Sequence, residues 1–165
     1  MTAYGVVEEV VMQMAQTLER NLQRAHCQYE LLAHDMTATS LESARKAGIP
    51  AARMAKSVIL DDRRGHYLMA VLPANRQLDL SKVHKGPRRW QLSGEQALAK
   101  LFKDCQRGAV PAIGELYGLD MLIDPMLVGQ QDIYLEAGDH ESLVHMPVDE
   151  FFRLVPNAEI RELCA

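Results

Sequence analysis

Residues 56–72 read KSVILDDRRGHYLMAVL. The first part ends in the apolar, β-branched run Val58-Ile59-Leu60, and the last part, from His66 onward, is apolar again. The polar residues 61–65 between them end in glycine, which is typical of a turn. Two extended runs joined by a short polar turn predict a β-hairpin.

The chain before the hairpin predicts two helices and a strand. Over about residues 5–25 apolar side chains recur every three or four positions, which is the period of a helix with one buried face. A short apolar stretch at residues 29–32 indicates a strand. Thr39 and Glu42 then have the spacing of a capping box, so we expect a short helix to begin there and to end at Gly48.

The chain after the hairpin predicts more helices and strands. Ser93 is a candidate N-cap for a helix over residues 95–104, and Pro147 suits the first position of a helix over residues 148–154. Further strands are expected at residues 119–123, 133–135 and 142–144. Helices interspersed with hairpins indicate an α+β fold.

Composition is consistent with one globular domain. The chain has 165 residues, of which 48% are hydrophobic and 24% charged, and we expect residues 1–165 to form a single domain. Its longest apolar runs are far shorter than the roughly 20 residues of a membrane-spanning helix. The acidic start of the chain does not resemble an export signal. We therefore expect a cytoplasmic protein without a membrane partner.

Charge and cysteine content narrow the possible functions further. The net charge is −4, so any contact with nucleic acid must be local. Three distant cysteines without a Cys-x-x-Cys pair argue against disulfides and against a zinc site. His140 and His145 would point to opposite faces of an extended segment, so we expect no metal and no cofactor.

No nucleophile elbow, phosphate-binding glycine loop or zinc motif is present, and the candidate functional residues are scattered. Lys56, at the start of the hairpin, is either a solvated lysine or a cation that holds an anion or a carbonyl oxygen. The stretch from Gly108 through Pro111 to Gly114 is either a plain connection or a backbone that offers N–H groups to an oxyanion.

Two polar segments also allow either a structural or a functional interpretation. Residues 138–141 form either a surface turn or a site where His140 meets a polar substrate. The basic cluster is either a solvated loop or a grip on phosphates, with Trp90 stacking or packing inward. Its cationic residues, which we assign to the tRNA backbone on the second alternative, are Lys82, Lys85, Arg88 and Arg89.

Together these segments resemble the superfamily of YbaK and of the editing insertion domain of prolyl-tRNA synthetase. The resemblance is carried, in order and over most of the chain, by residues 34–40, 55–60, 107–114 and 136–141. It implies a mixed, mostly antiparallel curved sheet flanked by helices, with a pocket for the aminoacylated 3′ end of a tRNA. The activity implied is hydrolysis of a mischarged aminoacyl-tRNA, and a synthetase is a further candidate partner.

The resemblance also implies roles for individual residues. Lys56 would hold the tRNA end, Gly108 would begin the loop facing the ester carbonyl, and His140 would contact the aminoacyl group. The implied catalytic positions are Lys56, Gly108, Ala109 and His140. The implied substrate-binding positions are His34, Thr39, Ser40, Pro111, Ala112, Gly114 and Asp139.

One position departs from the family pattern. The family loop reads Gly-x-x-x-Pro, whereas here Ala112 stands at the final position and the proline is Pro111.

Three hypotheses about function follow from the sequence. The first is a trans-editing deacylase that uses substrate-assisted water attack, the second a catalytically silent module that senses charged tRNA or an aminoacyl ligand, and the third a domain that docks on a synthetase.

Overall fold

The computed structural model describes residues 14–84 and 87–165. Its helices are α1 (Gln16–Arg24), α2 (Ser40–Ala47), α3 (Leu80–Val83), α4 (Glu95–Leu101), α5 (Pro125–Val128) and α6 (Val148–Leu154). Its strands are β1 (Glu30–Ala33), β2 (Met54–Asp61), β3 (Tyr67–Pro73), β4 (Gln91–Leu92), β5 (Asp120–Ile123), β6 (Asp132–Glu136), β7 (Ser142–Pro147) and β8 (Glu159–Ile160). No helix within these ranges has the length and apolarity needed to cross a bilayer. The first part of the helix predicted over residues 5–25 lies outside the described residues.

The strands form one curved mixed sheet flanked by helices. Their order is β1-β7-β6-β2-β3-β5-β8, and β4 pairs with the end of β2. β1 with β7, β7 with β6, β2 with β3 and β2 with β4 are antiparallel pairs, whereas β6 with β2, β3 with β5 and β5 with β8 are parallel. The predicted α+β fold with a mixed, mostly antiparallel sheet is confirmed.

The predicted hairpin is the centre of the sheet. β2 and β3 pair in register from Ala55 opposite Pro73 to Asp61 opposite Tyr67. In the turn, the carboxylate of Asp62 accepts from the N–H of Arg64 at 2.8 Å. Lys56 therefore lies at the open end of the hairpin, away from this turn.

Both faces of the sheet are covered, because successive side chains of a strand alternate between the two faces. Met69 and Val71 of β3 belong to the larger core, which includes Leu18 of α1 and Phe151 of α6. Leu68, also of β3, faces the opposite side and packs with a cluster from α3, β5 and the C-terminal segment. Cover on both faces fixes the central strands and hence the residues at their ends.

Helix α2 begins beside the start of β2, and its ends match the sequence signals. Thr39 Oγ1 accepts from the Glu42 N–H at 3.2 Å, and the Glu42 carboxylate accepts from the N–H of Ala38 at 3.1 Å. Gly48 ends the helix with a left-handed φ of 69°. The predicted cap is confirmed, with Ala38 in place of Thr39 as the donor to Glu42.

Two helix starts differ from the prediction. Ser93 is not the cap of α4, because its N–H donates to the Ile59 carbonyl at 2.9 Å and the N-cap is Gly94, without a side-chain bond. Pro147 ends β7 and is the N-cap of α6, not its first helical residue. In both cases pairing with the sheet determines the backbone conformation before the helix begins.

Candidate functional site

A cavity of about 470 Å³ opens where α2 begins beside β2. Its walls come from the start of α2, the start of β2, the segment after β3 and the loop after α4. The lining residues are Ala38, Thr39, Ser40, Leu41, Lys56, Ser57, Ala74, Asn75, Arg76, Gln77 and Gly108. Four predicted site residues, Thr39, Ser40, Lys56 and Gly108, therefore meet in one cavity.

Lys56 supplies one cation of this cavity, and Arg76 supplies another. Its Nζ donates to the carbonyl oxygen of Arg76 in the segment after β3. Burial lowers the pKa of Lys56 below its ordinary value of 10.5, and the charge of Cys164 acts in the opposite direction. Because an ammonium group has three N–H donors, Lys56 can still bind a phosphate or carbonyl oxygen while it remains bonded to Arg76.

Gly108 lines the same cavity in a conformation that favours glycine. Its φ is +79°, and a Cβ at this position would lie 2.8 Å from the carbonyl oxygen of Ala38 and 3.1 Å from Cε1 of His140. Within the described ranges the Gly108 N–H donates to no protein acceptor. This amide is therefore available to an oxygen that develops negative charge in the cavity.

His140 lies beneath Gly108 and is only 6% exposed. Its Nε2 contacts the carbonyl oxygen of Arg107, which can only accept, so Nε2 carries a proton. The backbone of His140 is in the left-handed conformation. Asp139 fixes this turn by accepting from the N–H of Ser142 at 2.9 Å and from the Ser142 hydroxyl at 2.8 Å. In this arrangement His140 supports the Gly108 backbone, and its contact with an aminoacyl group stays a prediction.

The remainder of the predicted oxyanion loop is buried and does not line the cavity. The Ala109 N–H is already bonded to the Gln106 carbonyl at 3.1 Å. Gly114 packs against Met69, whose Sδ would lie 3.1 Å from an added Cβ. Pro111 and Ala112 are likewise buried. These residues shape the loop from behind.

The hydroxyl of Ser57 ties this loop to the sheet. It donates to the carbonyl oxygen of Val110 at 3.1 Å. Ser57 also lines the cavity, next to Lys56. The loop that carries Gly108 is thus held at one point by β2 and at another by His140.

The segment from 34 to 40 borders the cavity only at its end. His34 does not line the cavity. Its Nδ1 instead contacts the carbonyl oxygen of Asp35 at 2.6 Å. The N–H of His34 donates to the Glu141 carbonyl at 2.9 Å, and that of Thr37 donates to the His140 carbonyl at 3.3 Å. The segment therefore rests on the same turn that supports Gly108.

The arginines of the predicted phosphate-binding cluster lie elsewhere on the sheet. Arg88 forms an ion pair with Asp62 at 3.5 Å and lies 5.7 Å from the centre of the Trp90 ring. Arg89 is exposed, and Lys85 lies outside the described residues. Trp90 packs inward against the second face of the sheet, which is one of the two positions that the sequence allowed for it.

Arg88 and the cavity are at opposite ends of β2. Lys56 is near the start of the strand and Asp61 is its last residue, so about 17 Å of strand separates them at roughly 3.3 Å per residue. Lys82 is bonded through Nζ to the Cys164 carbonyl. Of the described residues in this cluster, Lys82, Arg88 and Arg89 do not line the cavity.

Sequence reasoning missed several residues of the site. Ser57 and Arg76 carry no motif, and only chain folding places them beside Lys56. Glu136 is buried at the end of β6. It belongs to a stretch that carries the family resemblance, but the sequence assigned it no role, and its own signal is a carboxylate that follows the buried residues Ile133 and Leu135 in a strand. No cluster of three His, Cys, Asp or Glu in the described parts of the chain is arranged to hold a metal ion.

Solved structures share this fold at low sequence identity. The hypothetical protein APE2540 is 18% identical with a TM-score of 0.78, over 91% of this chain and 100% of that one. A candidate trans-editing enzyme for prolyl-tRNA synthetase is 19% identical with a TM-score of 0.78, over 92% and 96% of the two chains. A candidate signal transduction protein from Marinobacter aquaeolei VT8 is 18% identical with a TM-score of 0.74, over 93% of this chain but 31% of that one.

Sequence comparison gives the family. No curated protein matches this chain. Residues 34–154 match the aminoacyl-tRNA editing domain, and this range includes Lys56, Gly108 and His140. The chain belongs to the aminoacyl-tRNA editing domain family.

Proposed function

We propose that this protein is a trans-editing deacylase that hydrolyses the ester of a tRNA mischarged with a small amino acid. The observation that carries the proposal is the shared cavity of Lys56 and Gly108, two residues far apart in the sequence. Its volume of about 470 Å³ is in the usual range for small-ligand sites. Membership of the editing family and the fold shared with a candidate trans-editing enzyme support the same activity.

The chemistry needs positioning more than acid–base groups. An aminoacyl ester is already activated, so a water held near the carbonyl carbon can attack it, assisted by a hydroxyl of the terminal ribose. The carbonyl oxygen gains negative charge, and the free N–H of Gly108 can stabilise it. The ribose oxygen then leaves with a proton as the amino acid is released.

Lys56 holds the end of the tRNA in this scheme. Its ammonium group is anchored to the Arg76 carbonyl and retains donors for a phosphate or ribose oxygen. Selection among amino acids would rest on the size and polarity of the cavity, because one methylene gives a synthetase only about 1–3 kcal/mol of discrimination. A second site that removes the wrong product then raises accuracy.

The test is deacylation of a panel of tRNAs charged with Ala, Ser, Thr, Cys and other small residues. We expect at least one pair to lose its ester, and Lys56→Ala to slow that loss by about 100-fold, in line with loss of one positioned donor in other enzymes. Lys100→Ala is the matched control, because Lys100 is exposed on α4 and does not line the cavity. No ester loss with any pair, or equal rates for Lys56→Ala and wild type, would contradict the proposal.

A sensor of charged tRNA is the second candidate function. Ala112 stands where the family has proline, and it lies fully buried behind the Gly108 loop, where a changed backbone could weaken oxyanion binding. The fold shared with a candidate signal transduction protein also favours this alternative. Tight binding of charged tRNA that depends on Lys56, without ester loss for any pair, would identify a sensor.

A further inference from the structure

Three buried polar atoms behind the cavity have no hydrogen-bond partner in the described part of the chain. They are Oε2 of Glu136, Nδ1 of His140 and Nε2 of His34. Glu136 is 1% exposed and His140 is 6% exposed, so solvent does not reach these groups freely. Buried polar atoms are normally bonded, and an unbonded oxygen costs less free energy in a neutral carboxylic acid than in a charged carboxylate.

The two imidazoles cannot donate to Glu136 in their neutral form. Nδ1 of His34 and Nε2 of His140 each contact a backbone carbonyl oxygen, so each of these nitrogens carries the ring's proton. The remaining nitrogen of each neutral ring is then a bare acceptor. With both rings neutral, the cluster has acceptors in excess and too few donors.

The hydroxyl network on the other side of Glu136 has the same shortage. Ser43 Oγ lies 2.8 Å from Glu136 Oε1, 3.1 Å from the Thr39 carbonyl oxygen and 2.7 Å from Thr37 Oγ1. If the Thr37 hydroxyl donates to Ser43, the single Ser43 proton must serve both the carboxylate and the Thr39 carbonyl. A proton on Glu136 removes this conflict, because the acid then donates to Ser43 and Ser43 donates to Thr39.

This network joins the rim of the cavity to its floor. Thr39 is the N-cap of α2 and lines the cavity together with Gly108. Glu136 reaches Thr39 through Ser43, and it also interacts electrostatically with His140, which supports Gly108. A change at Glu136 can therefore move both walls without touching a substrate.

We propose that Glu136 is a positioning residue of the editing site that works as a neutral carboxylic acid, donating its proton to Ser43 to hold the start of α2. This inference rests on the proposed function for its effect on catalysis. The role of the acid is structural order at the rim, and no step of ester cleavage passes through it.

The electrostatic surroundings agree with the geometry. Burial raises the pKa of Glu136 above its ordinary value of 4.5, because it outweighs the hydrogen bond from Ser43 and any positive charge on His140 or His34, which would stabilise the ionised carboxylate. From the helix packed against it, α2, the hydroxyls of Ser40 and Ser43 bond to the carboxylate, and the charged residues of this helix are Glu42, Arg45 and Lys46. His34 and His140 are the titratable groups with the largest influence on Glu136.

The experiment compares Glu136→Gln with Glu136→Leu in the deacylation assay across pH. Glutamine has a donor NH₂ group and an acceptor oxygen, so it imitates the neutral acid. We expect Glu136→Gln to keep the wild-type rate within about threefold at low pH and Glu136→Leu to lose at least about 30-fold. As pH rises, the wild type should lose activity relative to Glu136→Gln, because only the glutamate ionises. A glutamine variant as slow as the leucine variant, or a leucine variant as fast as wild type, would overturn the proposal.

A second measurement does not depend on activity. The free energy of unfolding is measured by urea denaturation from pH 4 to 8 for wild type and for Glu136→Gln. Because the folded protein holds the glutamate proton more tightly, wild-type stability should fall relative to the variant as pH rises above about 4.5 through the raised pKa. A pH-independent difference overturns the inference. If the wild type hydrolyses no ester but this difference appears, the proposed function fails and the neutral acid stands.

Discussion

A side chain at position 108 is excluded for two separate reasons, the backbone conformation and the lack of space. Its left-handed φ of +79° is costly for any residue with a Cβ. The space around it is also closed, since a Cβ would lie 2.8 Å from the Ala38 carbonyl oxygen. The close approach of the Gly108 backbone to Ala38 places the Gly108 amide next to the rim of the cavity. The same close approach therefore excludes a side chain and supports the proposed function.

We expect Gly108→Ala to destabilise the fold by about 1–3 kcal/mol from backbone strain, with a further loss from the clash, and to slow deacylation by at least tenfold. Gly118→Ala is the matched control, because Gly118 has a φ of +75° and no atom within 4 Å of the added Cβ. Urea denaturation and single-turnover deacylation measure the two effects. Equal losses of stability and rate in both variants would show that the closed space around Gly108 has no role.

The sequence was sufficient to single out some residues of the site but not others. Lys56 and Gly108 could be identified because the hairpin start and the glycine–proline loop are local patterns. The burial of His140 could not be foreseen, because the loop that covers it, which includes Arg107, is distant in sequence. Glu136 was missed for the same reason, since its partner Ser43 is 93 positions away.

At the scale of elements, the C-terminal segment is attached through one carboxylate. Asp124, at the N-cap of α5, accepts from the Met126 N–H at 2.9 Å, the Leu163 N–H at 2.8 Å and the Cys164 N–H at 3.3 Å. This segment carries Leu163 into the second core, and the Cys164 carbonyl holds Lys82. One buried carboxylate thus joins α5, the last residues of the chain and α3.

Asp124→Asn should therefore weaken the fold in a pH-dependent way. Burial alone would raise the pKa of Asp124, but the bonds from Leu163, Met126 and Cys164 outweigh it and lower the pKa below 3.8. The native state binds this proton less tightly than the unfolded chain, so the stabilisation is present above about pH 3.8 and is lost as pH falls through the lowered pKa. We expect a loss of about 1–3 kcal/mol at pH 6 that shrinks towards pH 2.

Urea denaturation at several pH values checks this prediction. Asp120→Asn is the control, since Asp120 is exposed and its carboxylate makes no hydrogen bond to the described residues. The loss for Asp124→Asn should exceed that for Asp120→Asn at pH 6, and the gap should narrow towards pH 2. A pH-independent loss for Asp124→Asn would refute the assigned role of the carboxylate.

The elements themselves show where local sequence suffices. The hairpin and the cap of α2 were predicted because their residues are neighbours in sequence and make their own hydrogen bonds. The sheet order could not be predicted, because β1 pairs with β7 and β5 with β8 across long stretches of chain. Ser93 failed as a cap for this reason: pairing with Ile59 fixes its backbone.

At the scale of the whole molecule, charge must be local for a protein of net charge −4 to bind tRNA. The cavity has Lys56 at one end of β2, and the cluster with Arg88 and Arg89 lies about 17 Å away along the strand. Two separate cationic points on one surface suit a ligand that is long and anionic. We therefore expect the cavity to take the tRNA end and the cluster to contact phosphates farther along the acceptor arm.

Arg89 is the best probe of this arrangement, because it is exposed, whereas Arg88 is paired with Asp62. If Arg89 contacts one phosphate, Arg89→Ala should weaken tRNA binding several-fold and lower the slope of log affinity against log salt by about one, because one fewer counterion is released. The single-turnover rate at saturating tRNA should stay at the wild-type value, since the cavity is unchanged. Arg24→Ala, at the exposed end of α1 on the opposite face of the sheet, should alter neither quantity. Equal salt slopes for wild type and Arg89→Ala would place the acceptor arm elsewhere on the protein.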